Sequence, residues 1–140
     1  MAVAVEPTTT TTATTATTSP RGTVFLNVSI ALQTVALLFQ AVTAGLLLST
    51  SYGHTLHDVG SRVIYGATML YVIAAVLAWR PGGGSPRPIL YSTGFLVLAS
   101  VQVVLGIAHM PALHVPLGVV MFGLSVLALG HAFTTARRRS

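Results

Sequence analysis

Four apolar stretches, separated by short polar or breaker-rich segments, dominate the chain. They cover about 23–51, 56–79, 89–109 and 112–133. Each is near the ~20 residues that an α-helix needs to cross a ~30 Å hydrocarbon core. Barrel strands would alternate in hydrophobicity and be about half as long, so the pattern predicts helices. Asp58 and Arg62 are confined to the first turns of the second stretch, and 80–88 is a loop crowded with Pro and Gly. The expected fold is all-α: an integral membrane, antiparallel four-helix bundle over 23–134.

The flanks look different. Residues 1–22 are Thr-rich and low in complexity. Such a tract buries too little apolar surface to offset its ordering entropy, so it is expected to be a disordered tail. It lacks the basic and apolar regions of a secretory signal peptide. Residues 135–140 form a short basic tail. Composition agrees with the membrane assignment: 53% of residues are hydrophobic, only 6% are charged, and mean hydropathy is +0.81. A soluble domain carries roughly 25% charged residues, which excludes a cytosolic enzyme. With no Cys there is no disulfide, thiolate metal site or cysteine nucleophile.

The net charge of +5 comes from seven Arg opposed by Glu6 and Asp58. These arginines flank apolar runs instead of forming a patch, so nucleic acid is not an expected partner. Arg21, Arg80, Arg87 and Arg137 to Arg139 share one side, with Arg62 alone near the other. Cytoplasmic loops retain Arg and Lys, which places both termini and the 80–88 loop in the cytoplasm of a cell-membrane protein. Tyr52 and Trp79 sit where interfacial aromatics belong.

Histidines carry the candidate chemistry. His54, His57, His109 and His114 fall at the outer boundary, and His131 at the cytoplasmic end. Ionisable groups at membrane depth are costly and call for a functional hypothesis. At 100° per residue, His57, Ser61, Ile64, Thr68, Tyr71 and Ala75 form one stripe. His114, Gly118, Met121, Ser125 and Ala132 form another. Ser29, Gln33, Gln40 and Thr43 share a face of the first helix, and Gln102, Gly106 and His109 a face of the third. The chain therefore reads as two weakly similar helix pairs: Gln40 and Gly45 followed by His57, then Gln102 and Gly106 followed by His114. Two such pairs bring His57 and His114 to the same depth, as axial ligands of a six-coordinate haem iron require. Gly45, Gly60, Gly106 and Gly118 leave room for a porphyrin edge, Thr55-x-x-Asp58 matches a capping box, and Arg62 is the propionate candidate.

This layout resembles one four-helix half of haem A synthase, on His57-Asp-Val-Gly-Ser-Arg62, on Gln102-Val-Val-Leu-Gly106 and on Leu113-His114-Val-Pro-Leu-Gly118. The likeness spans about 33–131. It is also similar to small four-helix actinobacterial membrane proteins with the same Gln…Gly, His…Gly layout. The resemblance implies His57 and His114 as ligands of haem b. It carries over no catalytic residue: the synthase has eight helices and an outer-loop Glu, whereas 51–56 contains no carboxylate, and the outer Cys pair of some members is absent.

Blander roles remain open. The histidines could be satisfied by water, headgroups or carbonyls, and His109 could replace either ligand. A Zn site could draw on His54, His57, His109 and His114. Gln33, Gln40 and Gln102 could meet a quinone, or more simply bond between helices. Two functions are therefore carried forward. One is a haem-b-binding membrane protein for electron transfer or haem handling, with a respiratory or haem-pathway membrane partner. The other is a non-catalytic accessory or assembly protein acting through helix contacts, with a second copy of the chain among its candidate partners.

Overall fold

The computed structural model describes residues 20–138; the expected disorder of the Thr-rich tail falls almost wholly outside them, as do the last two residues. Four helices follow in order: α1 Pro20–Leu47, α2 Gly53–Trp79, α3 Arg87–Ile107 and α4 Pro111–Arg137. All four are long and apolar enough to cross a membrane, which makes this a multi-pass membrane protein. The bundle is an antiparallel ring. Each helix packs on its neighbours in sequence, α4 closes on α1, and the diagonal pairs do not approach through their backbones.

At one end of the ring α1 and α3 finish while α2 and α4 begin. This is called the histidine end below, since His54, His57, His109 and His114 all lie there. Hydropathy alone places both helix boundaries at this end a few residues too late. α1 stops at Leu47, short of residue 51, and α2 starts at Gly53, ahead of residue 56. The reason is a tight reversal. Thr50 N–H bonds back to the Leu46 carbonyl, and Gly53 N–H to that of Thr50. A Cβ at Gly53 would run into the backbone of Leu46 and Leu47. The expected capping box is overturned by the same register: Tyr52 is the N-cap and makes no side-chain cap bond, while Thr55 lies inside the helix. Asp58 instead meets Arg62.

The opposite end closes through glycine. Arg80, Gly82, Gly83 and Gly84 return their N–H groups to Val76, Leu77, Trp79 and Ala78 carbonyls, which satisfies the orphan acceptors that every helix end leaves. Gly83 adopts φ 72°, open to glycine at no steric cost. The Arg80 guanidinium lies 4.9 Å over the Trp79 ring. α3 then begins with Pro88 in its first turn, where the missing N–H costs nothing. Pro20 to Gly22 and Thr135 to Arg137, assigned to tails by composition, are helical.

The core is small and unusually polar. Ala36, Ala67, Ala74, Ala75, Ala78 and Ala99 let the backbones come close, and Ile30, Leu37, Ile64, Tyr71, Phe95 and Met121 fill the space between them. Ser29, Gln33, Thr34, Thr43, Thr68, Ser92 and Ser125 are buried among them. Most of the hydroxyls donate to a carbonyl of their own helix, as Thr68 does to Ile64 and Ser92 to Ile89. Thr34 also meets Ser125 at 2.6 Å, tying α1 to α4. The stripes expected on α1, α2 and α4 therefore face inward, with Val, Leu and Ile outward toward lipid.

Gly53→Ala is expected to lower the melting temperature in detergent, because the new methyl must push α1 and α2 apart. Gly94→Ala, where a Cβ meets nothing within 4 Å, should leave it unchanged or raise it. Thermal melts followed by circular dichroism compare the two.

Candidate functional site

His57 lies one turn into α2 and is half-buried against α1. The Gln40 amide nitrogen is 3.1 Å from the His57 carbonyl and 3.2 Å from its ring Nε2. An amide NH₂ only donates, so Nε2 accepts and Nδ1 carries the proton, directed at Thr43 Oγ1 at 3.3 Å. The Thr43 hydroxyl passes its own proton to the Gln40 carbonyl, 3.0 Å away. One tautomer of His57 is thus fixed by two α1 side chains spaced a turn apart.

The second helix pair repeats the plan with different atoms. His114 is half-buried in the first turn of α4, and its Nδ1 lies 3.1 Å from the backbone carbonyl of Gln102 on α3. A carbonyl only accepts, so Nδ1 donates and Nε2 keeps its lone pair. The Gln102 side chain runs toward Gly118, where an added Cβ would sit 3.0 Å from its Nε2. In the first pair Gln40 Oε1 is seated against Gly60 in the same way, with no room for a Cβ. Both glycines therefore receive a glutamine and do not open a porphyrin slot. A Cβ added at Gly106 would sit 3.6 Å from His114 Cε1, an ordinary contact, while one at Gly45 would meet nothing within 4 Å. The Gln–Gly seats are the feature that sequence reasoning missed. Its signal was a glycine three or four residues after each histidine, opposite a glutamine on the preceding helix.

The two histidines meet across the diagonal of the ring. Their ring centroids are 6.1 Å apart, with the planes inclined at 65°. The other candidates lie elsewhere. Arg62 donates to Asp58 at 2.8 Å on an exposed face, and five residues at 100° put it roughly 140° from His57 around α2. His54, His109 and His131 are exposed. His109 is not on α3 at all, since that helix ends at Ile107. No group of three or more His, Cys, Asp or Glu assembles among the described residues, which sets aside the four-histidine Zn site. Deeper in the core, Gln33 Oε1 is buried without a hydrogen-bond partner, as is Gln102 Oε1.

Searches against protein-family models, curated proteins and solved structures give no match to this chain. The site has to be interpreted from its own geometry.

His109 itself is strained. Its φ is 52°, its N–H bonds to the Gly106 carbonyl, and Met110 N–H reaches back to Leu105. This is the Schellman helix ending, in which the left-handed position is usually glycine. A side chain there costs about 1 kcal/mol or more. His109→Gly is therefore expected to stabilise the bundle by about 1 kcal/mol in reversible detergent or denaturant unfolding. An unchanged or lowered stability would mean that the imidazole makes a compensating contact.

Proposed function

We propose that this chain is a membrane protein that binds haem b between His57 and His114 and serves electron transfer or haem handling. The observation that carries this is the 6.1 Å separation of the two rings across the bundle diagonal. An iron bound by two imidazoles at ~2 Å each sets ring centres roughly 6 Å apart. The His114 ring supports it further: its Nδ1 proton is held by a carbonyl, which leaves Nε2 free to ligate. His57 offers Thr43 as the corresponding partner for Nδ1, and the Gln40 amide must swing off Nε2 before that nitrogen can ligate. Arg62 lies roughly 140° from His57 around α2 and bonds Asp58, so the ligand pair carries the proposal without it. His57 and His114 would hold the haem, which would supply one-electron chemistry there.

Protein expressed with haem supplied and purified in mild detergent should show a sharp reduced α-band after dithionite. The band should be lost in both His57→Ala and His114→Ala. A folded protein that stays colourless through haem titration would overturn the proposal. The accessory-subunit function would then stand. The satisfaction of both His57 ring nitrogens inside the protein favours that second function.

The proposal extends to orientation. Arg21, Arg80, Arg87, Arg137 and Arg138 all lie toward the end opposite the histidines, so the positive-inside rule puts both termini in the cytoplasm and the histidine end outside. The natural absence of Cys makes this easy to test. In intact cells a membrane-impermeant maleimide should label Ser51→Cys and spare Ser85→Cys. The reverse pattern would invert the topology.

A further inference from the structure

Asp58 and Arg62 are the only Asp, Glu, Lys or Arg between Arg21 and Arg80. They lie on a membrane-crossing helix with side chains 62% and 77% exposed. On such a helix exposure means lipid or its headgroups, where an ionised pair needs partners that water would otherwise supply. The pair borders a groove of about 490 Å³ between α2 and α3, lined also by Ser61, Tyr65, Ser100 and Val103. Tyr65 donates to Ser100 at 3.2 Å across the groove floor, because Ser100 spends its own proton on the Leu96 carbonyl.

We propose that this groove seats a phospholipid with a primary-ammonium headgroup, phosphatidylethanolamine in chemical class. The order of the charges decides the class. α2 runs inward from the histidine end, so the Asp58 backbone lies nearer the membrane surface and the Arg62 backbone about 6 Å deeper, four residues at 1.5 Å each, with the guanidinium reaching back from the deeper side to 2.8 Å from the carboxylate. A phospholipid of the adjacent leaflet has the same polarity, with its phosphate deeper and its ammonium further out. Arg62 meets the phosphate and Asp58 accepts from the ammonium. The Tyr65–Ser100 hydroxyls lie below, at the level of the ester groups. The lipid seat is the same whichever side of the membrane this end faces, and it does not involve the histidine pair. The terminal glycerol of a phosphatidylglycerol is neutral and offers Asp58 no countercharge, and a choline has no N–H to donate.

The test is native mass spectrometry of the full-length protein, delipidated in detergent and titrated with dioleoyl phosphatidylethanolamine, phosphatidylcholine or phosphatidylglycerol. Retention of the ethanolamine lipid should exceed that of the other two by roughly tenfold, the worth of one charge-assisted hydrogen bond. The double exchange D58R/R62D keeps an ion pair one turn apart but reverses its direction, and should abolish the preference without altering the thermal melt. D58N removes only the shallower charge and should bring ethanolamine binding down to the choline level. Equal retention of the three lipids overturns the proposal. So does a phosphatidylglycerol preference, or an ethanolamine preference that survives either variant.

Discussion

Inside a bilayer, helices have no hydrophobic reason to prefer one another over lipid; close packing and interhelical hydrogen bonds must hold them together. This constraint explains why a chain so apolar spends glutamines and hydroxyls in its core. Alanines bring α1 and α2 into close contact, and the Thr34–Ser125 bond closes the ring beside Met121, Leu117 and Phe122 of α4. In water such a bond is exchanged for bonds to solvent and contributes little. In hydrocarbon the solvent alternative is gone, although the measured gain per side-chain bond is still only about 0.6 kcal/mol on average. At least one such contact joins each pair of neighbouring helices, and together they set the rotation of each helix about its axis.

That rotation brings the histidines together. Gln40 can hold His57 in this pose only while Gly60 has no side chain, and a methyl at Gly118 would crowd the Gln102 amide and make it shift by a few tenths of an ångström. The two halves then diverge. His57 is held by side chains on both nitrogens, whereas His114 is held by backbone on one. A backbone carbonyl inside a helix cannot move away, but a glutamine amide can rotate. His114 is therefore the fixed member of the pair, and His57 is the member whose bonds can be exchanged.

The number of helices, their antiparallel order and the inward stripes were legible because lipid imposes a single apolar requirement on every outward residue. His57 and Thr68 could be placed on one face, as could His114 and Ser125, from 100° per residue alone. The helix ends were not legible. Leu48, Tyr52 and Leu56 are as apolar as the helices they join, so hydropathy cannot register a backbone reversal that depends on Gly53. His109 was assigned to a helix because nothing in its side chain announces a left-handed φ, and the Thr55 capping box failed because the helix had already begun. The Gln–Gly seats were hidden for a different reason. Glycine in a membrane helix signals close approach without saying what approaches, and only the packed bundle identifies glutamine.

Polarity is distributed unevenly along the bundle, and this bears on where function resides. Toward the arginine-rich end the buried polar groups among the described residues are only small hydroxyls, Ser29 and Ser92, beside Ala74, Ala75 and Ala78 of α2, and the charges sit at or just beyond the helix ends. At the histidine end, polar groups occupy both the interior and the outer face: Gln40, Thr43, His57, Gln102 and His114 inside, Asp58 and Arg62 outside. Stability alone would not select this. The outer ion pair is exposed and stabilises the helix by only about 0.5 kcal/mol, and the inner network leaves Gln102 Oε1 without a partner. A half-satisfied polar cluster beside an exposed charge pair costs more than an apolar end of the same shape. The histidine end therefore concentrates more polar groups than the packing of the bundle requires.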